Sequence, residues 1–286
     1  MRLLITGASG DLGRPLSSLA ARSWDTTGTF YRHPLVGGGQ SVQLDLRDRQ
    51  HTLSLIDELR PDTIIHAAVS DTSDEASTAI PVAARHISEG AHRVGAHLIA
   101  LSTDMVFDGT EPPYTEASPC RPRTIYGQAK ALSERILQYQ HDNLLIVRTS
   151  LIYDLDPQNR QISWLLHKIK EGQAIMLFED EIRQPIWAWN LASAVLELAS
   201  LGCRGILHVA GPQPMNRWEY GSALLQALGY EPRAVAVRAQ AADIAPNRPR
   251  NCTLCLSRAK SLLSTPLLTV HEALAQAQNG AKHHPA

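Results

Sequence analysis

Tyr126 stands four residues before Lys130 in the segment "TIYGQAK" at 124–130. On a helix that spacing puts a phenol and an ammonium on one face. Two readings compete for the pair. One is an ordinary helix with a snorkelling lysine. The other is a proton donor with a cation beside it. A free tyrosine has a pKa of about 10, too high to exchange protons readily near neutrality, and a nearby ammonium favours the phenolate. Carbonyl reduction needs such a group, because hydride must reach carbon while a proton reaches oxygen. Thr103 in "LSTD" at 101–104 is a hydroxyl at the end of an apolar run. Ser102 is its neighbour on the same apolar run. A strand turns successive side chains to opposite faces, so Ser102 ranks behind Thr103.

A second motif supplies what the phenol lacks. "TGASGDLG" at 6–13 carries Gly7, Gly10 and Gly13. Glycines so spaced allow a tight turn, a close approach of backbone to pyrophosphate, and close helix–sheet packing. The turn follows the apolar run "RLLIT" and precedes a helical pattern with Leu12, Leu16 and Leu19 on one side, which is the context that confirms such a motif. A dinucleotide is therefore expected along Gly7, Ser9, Gly10, Asp11, Leu12 and Gly13. An NAD site usually closes the second strand with an acid. Here "TFYRHP" ends in Arg32 and His33, and a cation suits a 2′-phosphate. The expected cofactor is NADP (NADPH), with NAD less favoured; the alternative for Arg32 is a solvated surface arginine. Asp45 and Leu46 end the run "SVQLDL" and are placed beside the adenine, unless Asp45 caps the helix that follows.

These residues need strands and helices to hold them. Short apolar runs predict strands at 2–6, 26–32, 41–46, 62–69, 97–103 and 143–150. Helical patterns fall at about 11–22, 50–60, 77–95 and around Tyr126. Their alternation predicts an α/β, Rossmann-type doubly wound parallel sheet with helices on both faces and a small C-terminal substrate lobe. The expected division is a dinucleotide-binding core at 1–155, a mainly substrate-binding lobe at 156–280 whose chain returns to the core, and a tail at 281–286. Within the second part, helices are expected at 162–172, 190–202 and 217–229 and a strand at 205–211.

The net charge of −1 gives no reason to expect nucleic acid or an anionic membrane as partner. No apolar run approaches the roughly 18 residues of a membrane span, and the N-terminus has no signal-peptide pattern. The expectation is a cytoplasmic protein acting on a small molecule; a homodimer stays open. "CTLC" at 252–255 has metal or redox spacing, but the sequence offers no second ligand pair with zinc-like spacing, so no metal is expected.

Four blocks together resemble the extended short-chain dehydrogenase/reductases: "TGASGDLG", "LSTDMVFDG" at 101–109, "YGQAK" at 126–130 and "VRTSLIY" at 147–153. They are most similar to the dTDP-4-dehydrorhamnose reductase group, with its "STDYVFDG", "YGxxK" and "RTSWVY" blocks. "GILHVAG" and "NRPRNCTL" are similar to its later blocks. The resemblance implies a triad of Thr103, Tyr126 and Lys130, with Lys130 also bonding the nicotinamide ribose. It puts Ala67 and Ala68 beside the cofactor, and Arg148 and Ser150 on the nicotinamide side, unless these two are strand-end polar residues meeting solvent. It implies NADP(H)-dependent reduction of a carbonyl, most readily a 4-keto sugar nucleotide. That group can pair through a metal-bridged acidic patch near the C-terminus, but the last 30 residues here hold one acid, Glu272.

The chain also departs from the group. No Asn stands on the helix before the fifth strand, where Ile80 lies, so a relayed water behind Lys130 loses its usual anchor. Before Ala67 the usual Asn is His66. Met105 replaces an aromatic and Leu151 a tryptophan, both near the substrate in that group. Trp187, Trp189 and Trp218 either restore a stacking face or pack the interior. Arg183 in "EDEIRQPIW" meets a substrate phosphate or carboxylate, or else pairs on the surface with Glu179 or Asp180; Arg248 and Arg250 raise the same choice. Two alternative functions follow. One is a reductase of a non-sugar carbonyl or imine. The other is an NADP-binding partner protein, like the regulatory subunit of methionine adenosyltransferase.

Overall fold

The computed structural model describes residues 1–35, 40–69 and 73–281. Seven parallel strands form the central sheet: β1 (Arg2–Thr6), β2 (Asp25–Phe30), β3 (Gln40–Gln43), β4 (Thr63–His66), β5 (His97–Thr103), β6 (Leu144–Thr149) and, much later in the chain, β11 (Gly205–His208). Their order is β11-β6-β5-β4-β1-β2-β3. Every residue of β4, β5 and β6 is buried, as a sheet covered on both faces requires. Alternate side chains feed two cores. Leu3, Ile5, Ile65, Ile99 and Val147 pack on one face with Leu16, Leu191 and Val195. Leu4, Ile64, Leu98, Ala100 and Ile146 pack on the other with Ile56, Ile87 and Leu137.

Those covering residues come from helices α1 (Gly13–Ala20), α2 (Arg49–Leu59), α3 (Ser73–Val94), α4 (Ile125–Gln140) and, from later in the chain, α6 (Ala188–Ser200). Thr124 caps α4: its hydroxyl accepts from the Gly127 N–H at 3.1 Å. This cap starts the helix so that Tyr126 falls in its first turn, beside the end of β5.

Between β6 and α6, and again after β11, the chain builds smaller units over the carboxyl edge. β7 (Ile152–Tyr153) pairs in parallel with β10 (Ile186–Trp187), and β8 (Ile175–Phe178) with β13 (Ala236–Ala239). β9 (Ile182–Arg183) pairs antiparallel with β12 (Met215–Asn216). Helices α5 (Arg160–Lys170) and α7 (Arg217–Ala227) pack with them around Tyr153, Ile162, Leu165, Leu177, Tyr220 and Leu224. Among the described residues no helix is long and apolar enough to cross a membrane.

Several boundaries differ from expectation, among them three around the site. β3 stops at Gln43 rather than Leu46, because the chain turns at Asp45: its carboxylate accepts from the Arg47 N–H at 2.9 Å and its carbonyl from the Asp48 N–H at 2.9 Å. β4 ends at His66 rather than Val69, where the chain bends against the glycine turn. α3 begins at Ser73, earlier than residue 77, and accommodates Pro81 within it. Most of the expected tail, 282–286, lies outside the described residues.

Candidate active site

The glycine turn fits a dinucleotide on steric grounds. Gly7 has φ +72°, and a Cβ there would lie 2.7 Å from the Ala68 Cα. A Cβ on Gly13 would lie 2.0 Å from the Gly7 carbonyl oxygen. The turn is thus packed against the Ala67–Ala68 backbone and against the start of α1. The N-cap of α1 is Leu12, which offers no side-chain acceptor and is itself buried in the core, and no acid lies in the first turn. The helix N-terminus is therefore left to an anion. Ser9 presents its carbonyl to Arg14 Nη1 at 3.0 Å. Asp11 meets Arg14 at 3.7 Å and Arg160 at 3.3 Å.

Across the sheet edge from this turn, the structure brings Thr103 and Tyr126 together. The Thr103 hydroxyl accepts from the Met105 N–H at 3.2 Å and donates to Asp104 Oδ1 at 3.2 Å. It also lies close enough to the phenol to favour its ionised form by hydrogen bonding. A threonine has one proton to give, so Asp104 and the oxygen in the cleft share it. Asp104 itself is 1% exposed and accepts from Ser150 Oγ at 2.5 Å. Burial raises its pKa against the pull of Arg183.

The phenol does not behave as its spacing to Lys130 predicts. Enclosure of its hydroxyl, then the Asp104 charge, push Tyr126 up to about 12 rather than down. The cations that act most on it are Arg160 and Arg183. Lys130 is turned away from the cleft: its Nζ donates to the Leu101 carbonyl at 2.6 Å, and burial lowers the amine to about 8. The shared helix face is real, but a four-carbon stem reaches behind β5 instead of along the helix surface.

Behind β5, Lys130 borders a cavity of about 10 Å³ with His66, Ser102, Ser133 and Glu134 among its walls. Ser102 faces this side, as strand alternation predicts, and donates to Glu134. Glu134 also receives Arg148 Nη2 at 2.8 Å, a pair buried on both sides. Arg148 thus belongs to the pair behind the sheet, whereas Ser150 joins the cleft through Asp104. His66 bonds Thr6 Oγ1 at 2.8 Å, and burial, then the charge of Lys130, lowers its ring to about 3. Ile80 packs beneath the ring of Tyr126 with Ala129.

On the lobe side Arg183 is 4% exposed, not a surface residue. Its partners are Asp104 at 3.5 Å and Glu181 at 3.6 Å, which corrects the expected pairing with Glu179 or Asp180. Antiparallel pairing of β9 with β12 tucks it inward, where it also touches the Met105 sulfur. Arg248 reaches Glu181 at 3.0 Å and Arg250 reaches Asp180 at 3.6 Å. Arg217, which the sequence reading passed over, bears on the same Glu181. Four buried guanidinium nitrogens here have no hydrogen-bond partner: Arg183 Nε and Nη1, Arg217 Nη1 and Arg250 Nη1. Met105 and Arg183 are thus together at the cleft, while Leu151 packs with the lobe's apolar cluster.

At the far end of the glycine turn, Arg32 is exposed and lies 5.3 Å from the Tyr31 ring centroid. Arg47, also missed, lies at the same distance from that ring and bonds the Tyr31 hydroxyl at 2.9 Å. Asp45 is engaged by Arg47 at 2.7 Å, which holds its carboxyl below the usual range, and the helix cap is Asp48 instead. The Leu46 side chain is buried in the core. Both indole N–H groups of Trp187 and Trp189 bond Asp154, at 3.1 and 3.0 Å, and both rings are half-buried. Trp218 packs on the lobe core beneath the Arg238 guanidinium. Cys252 is buried near Arg183 and Asp104, whereas Cys255 sits beside Ser257. The two thiols of "CTLC" therefore face different surroundings. Among the described residues no cluster of three His, Cys, Asp or Glu side chains is placed to hold a metal.

Fold and site together define an extended short-chain dehydrogenase/reductase. The chain belongs to the RmlD substrate binding domain family, whose sequence model matches residues 1–282. It is 31% identical over 284 residues to a dTDP-4-dehydrorhamnose reductase of Streptomyces griseus, covering 93% of this chain and 89% of that one. It is 30% identical over 242 residues to methionine adenosyltransferase 2 subunit beta of Xenopus tropicalis, covering 79% and 72%. Solved structures share the fold. A Bacillus anthracis dTDP-4-dehydrorhamnose reductase in complex with NADP superimposes with a TM-score of 0.84 at 23% identity, covering 98% of this chain and 99% of that one. The Bordetella bronchiseptica enzyme WbmH in complex with NAD+ gives 0.84 at 18%, covering 100% and 99%. The protein is an NAD(P)-dependent enzyme of this reductase class.

Proposed function

We propose that this enzyme uses NADPH to reduce the keto group of a sugar nucleotide, with Tyr126 as proton donor and Thr103 holding the reacting oxygen. The supporting observation is the arrangement around Asp104: a protonated phenol and a threonine hydroxyl on one side, and Arg183, 3.5 Å from the carboxylate, on the other. The reduced nicotinamide supplies the hydride when bound. A phenol at about 12 is protonated at neutral pH, the form a reduction consumes. An alkoxide is more basic than a phenolate, so proton transfer to the product oxygen runs downhill. Lys130, at about 8 and bonded to the Leu101 carbonyl, lies behind β5 and would reach a nicotinamide ribose only by leaving that carbonyl. Arg183, Arg217 and Arg250 meet the diphosphate of the substrate. Arg32 and Arg47 side by side favour NADP over NAD, since Asp45 is committed to Arg47.

The test is NADPH oxidation with a panel of dTDP-4-keto-6-deoxy sugars. Tyr126→Phe should lower kcat at least ~100-fold and leave the Kd for NADPH within about twofold. Turnover of the same substrate by the variant would remove the phenol from the mechanism. A panel with no oxidation at all would favour a non-sugar carbonyl or imine, which Met105 at the cleft motivates. The likeness to the methionine adenosyltransferase subunit supports a third reading, a partner protein that binds NADP without turnover. Co-purification with a second enzyme and no redox activity alone would favour it.

A further inference from the structure

One arginine of the lobe spans the distance between the glycine turn and Tyr126. Arg160 opens α5 directly behind its cap, Asn159, whose Oδ1 accepts from the Gln161 and Ile162 N–H groups at 3.0 and 3.3 Å. The Arg160 backbone N–H and its Nε both meet the Asp11 carboxylate at 3.3 Å. Its charge also reaches the phenol of Tyr126. The segment that carries it is anchored from behind, where the indoles of Trp187 and Trp189 hold Asp154. It is anchored at the front by Asp156, 4.0 Å from Arg14. The guanidinium therefore stands beside the glycine turn, where a dinucleotide places its pyrophosphate, with its charge within reach of Tyr126. The side chain is 63% exposed, so a ligand in the cleft can reach it.

We propose that Arg160 is a cofactor-binding residue that takes the nicotinamide-side phosphate from the N-terminal end of α5, which already meets the glycine turn; this rests on the dinucleotide reading of the site. A phosphate that arrives here takes the Arg160 donors over from the Asp11 carboxylate, exchanging one charge-assisted contact for another.

Calorimetric binding to the full-length wild type and to Arg160→Ala decides this, with four probes: NADPH, 2′-phospho-ADP-ribose, adenosine 2′,5′-bisphosphate and dTDP. The variant should bind NADPH and 2′-phospho-ADP-ribose ~10-fold or more weakly. It should bind adenosine 2′,5′-bisphosphate, which lacks the second phosphate, and dTDP within about twofold of wild type. The salt dependence of the NADPH Kd should become shallower, a change that a merely structural role would not produce. Arg160→Lys should recover part of the loss. An equal loss for adenosine 2′,5′-bisphosphate, or a loss confined to dTDP, overturns the assignment. So does an unchanged Kd for NADPH in a variant of a wild type that binds it. A wild type that binds no dinucleotide removes the cofactor reading as well, which separates the two failures.

Discussion

Lys130 is held in the fold against its own solvation. Burial lowers its amine from the ordinary 10.5 to about 8, and that interval corresponds to about 3 kcal/mol. The folded pKa lies below the unfolded one, so between about pH 8 and 10.5 the unfolded chain binds more protons. Stability therefore rises with pH through that window, and below about pH 8 the penalty is present in full. A methionine at this position keeps the apolar stem and removes the charge. It also strips the Leu101 carbonyl of its 2.6 Å donor, at a cost of about 1 kcal/mol. Lys130→Met should thus be more stable than wild type by about 2 kcal/mol at pH 7, and the advantage should vanish or reverse by pH 10.5. Urea unfolding at pH 7 and pH 10 reads both numbers. A variant less stable than wild type at pH 7, or an advantage unchanged between the two pH values, would refute the reasoning. Turnover should fall in the same variant. A residue that weakens the fold and supports the chemistry is retained for the chemistry.

Other consequences are as direct. Gly13→Ala would put a Cβ 2.0 Å from the Gly7 oxygen, so NADPH binding should fall at least ~100-fold by calorimetry. Gly10→Ala, whose Cβ would lie 3.2 Å from the same oxygen, should lose far less. Glu134→Gln leaves Arg148 buried without its counter-charge and should cost about 3–5 kcal/mol in urea unfolding, while Glu134→Leu with Arg148→Met should recover most of it. The His66 ring titrates at about 3 instead of 6.5, so the unfolded chain binds the extra proton in between. That stability is lost as pH falls from 6.5 towards 3, by about 4–5 kcal/mol, and His66→Leu should flatten this acid slope between pH 4 and pH 7.

The main sheet was legible because its strands are nearly continuous apolar runs, and burial on both faces writes itself into every position. The glycine turn was legible for the same kind of reason: Gly7 and Gly13 answer local steric demands that no distant contact changes. The short lobe strands were not recognised, although "IMLF" at 175–178 and "AVRA" at 236–239 carry a weak β pattern. Each gains its register only from the other, about 60 residues away in the chain. Arg183 shows the harder limit. Beside Glu179 and Asp180 in sequence it reads as half of a surface pair, but its counter-charges are the buried Glu181 and Asp104, the latter just past the end of β5. Sequence neighbours predict an ion pair only when both groups stay in water. Once one is buried, the partner is whichever charge the fold buries with it. The Tyr126–Lys130 spacing carries the same lesson in reverse. Helix geometry put the two residues on one face, yet the electrostatics of the phenol are set by enclosure and by Asp104, Arg160 and Arg183, which arrive from three other segments. Proton transfer at this site is therefore tuned by the lobe as much as by α4. Substitutions in the lobe arginines should move the pH profile of the reaction without touching the helix that bears the phenol.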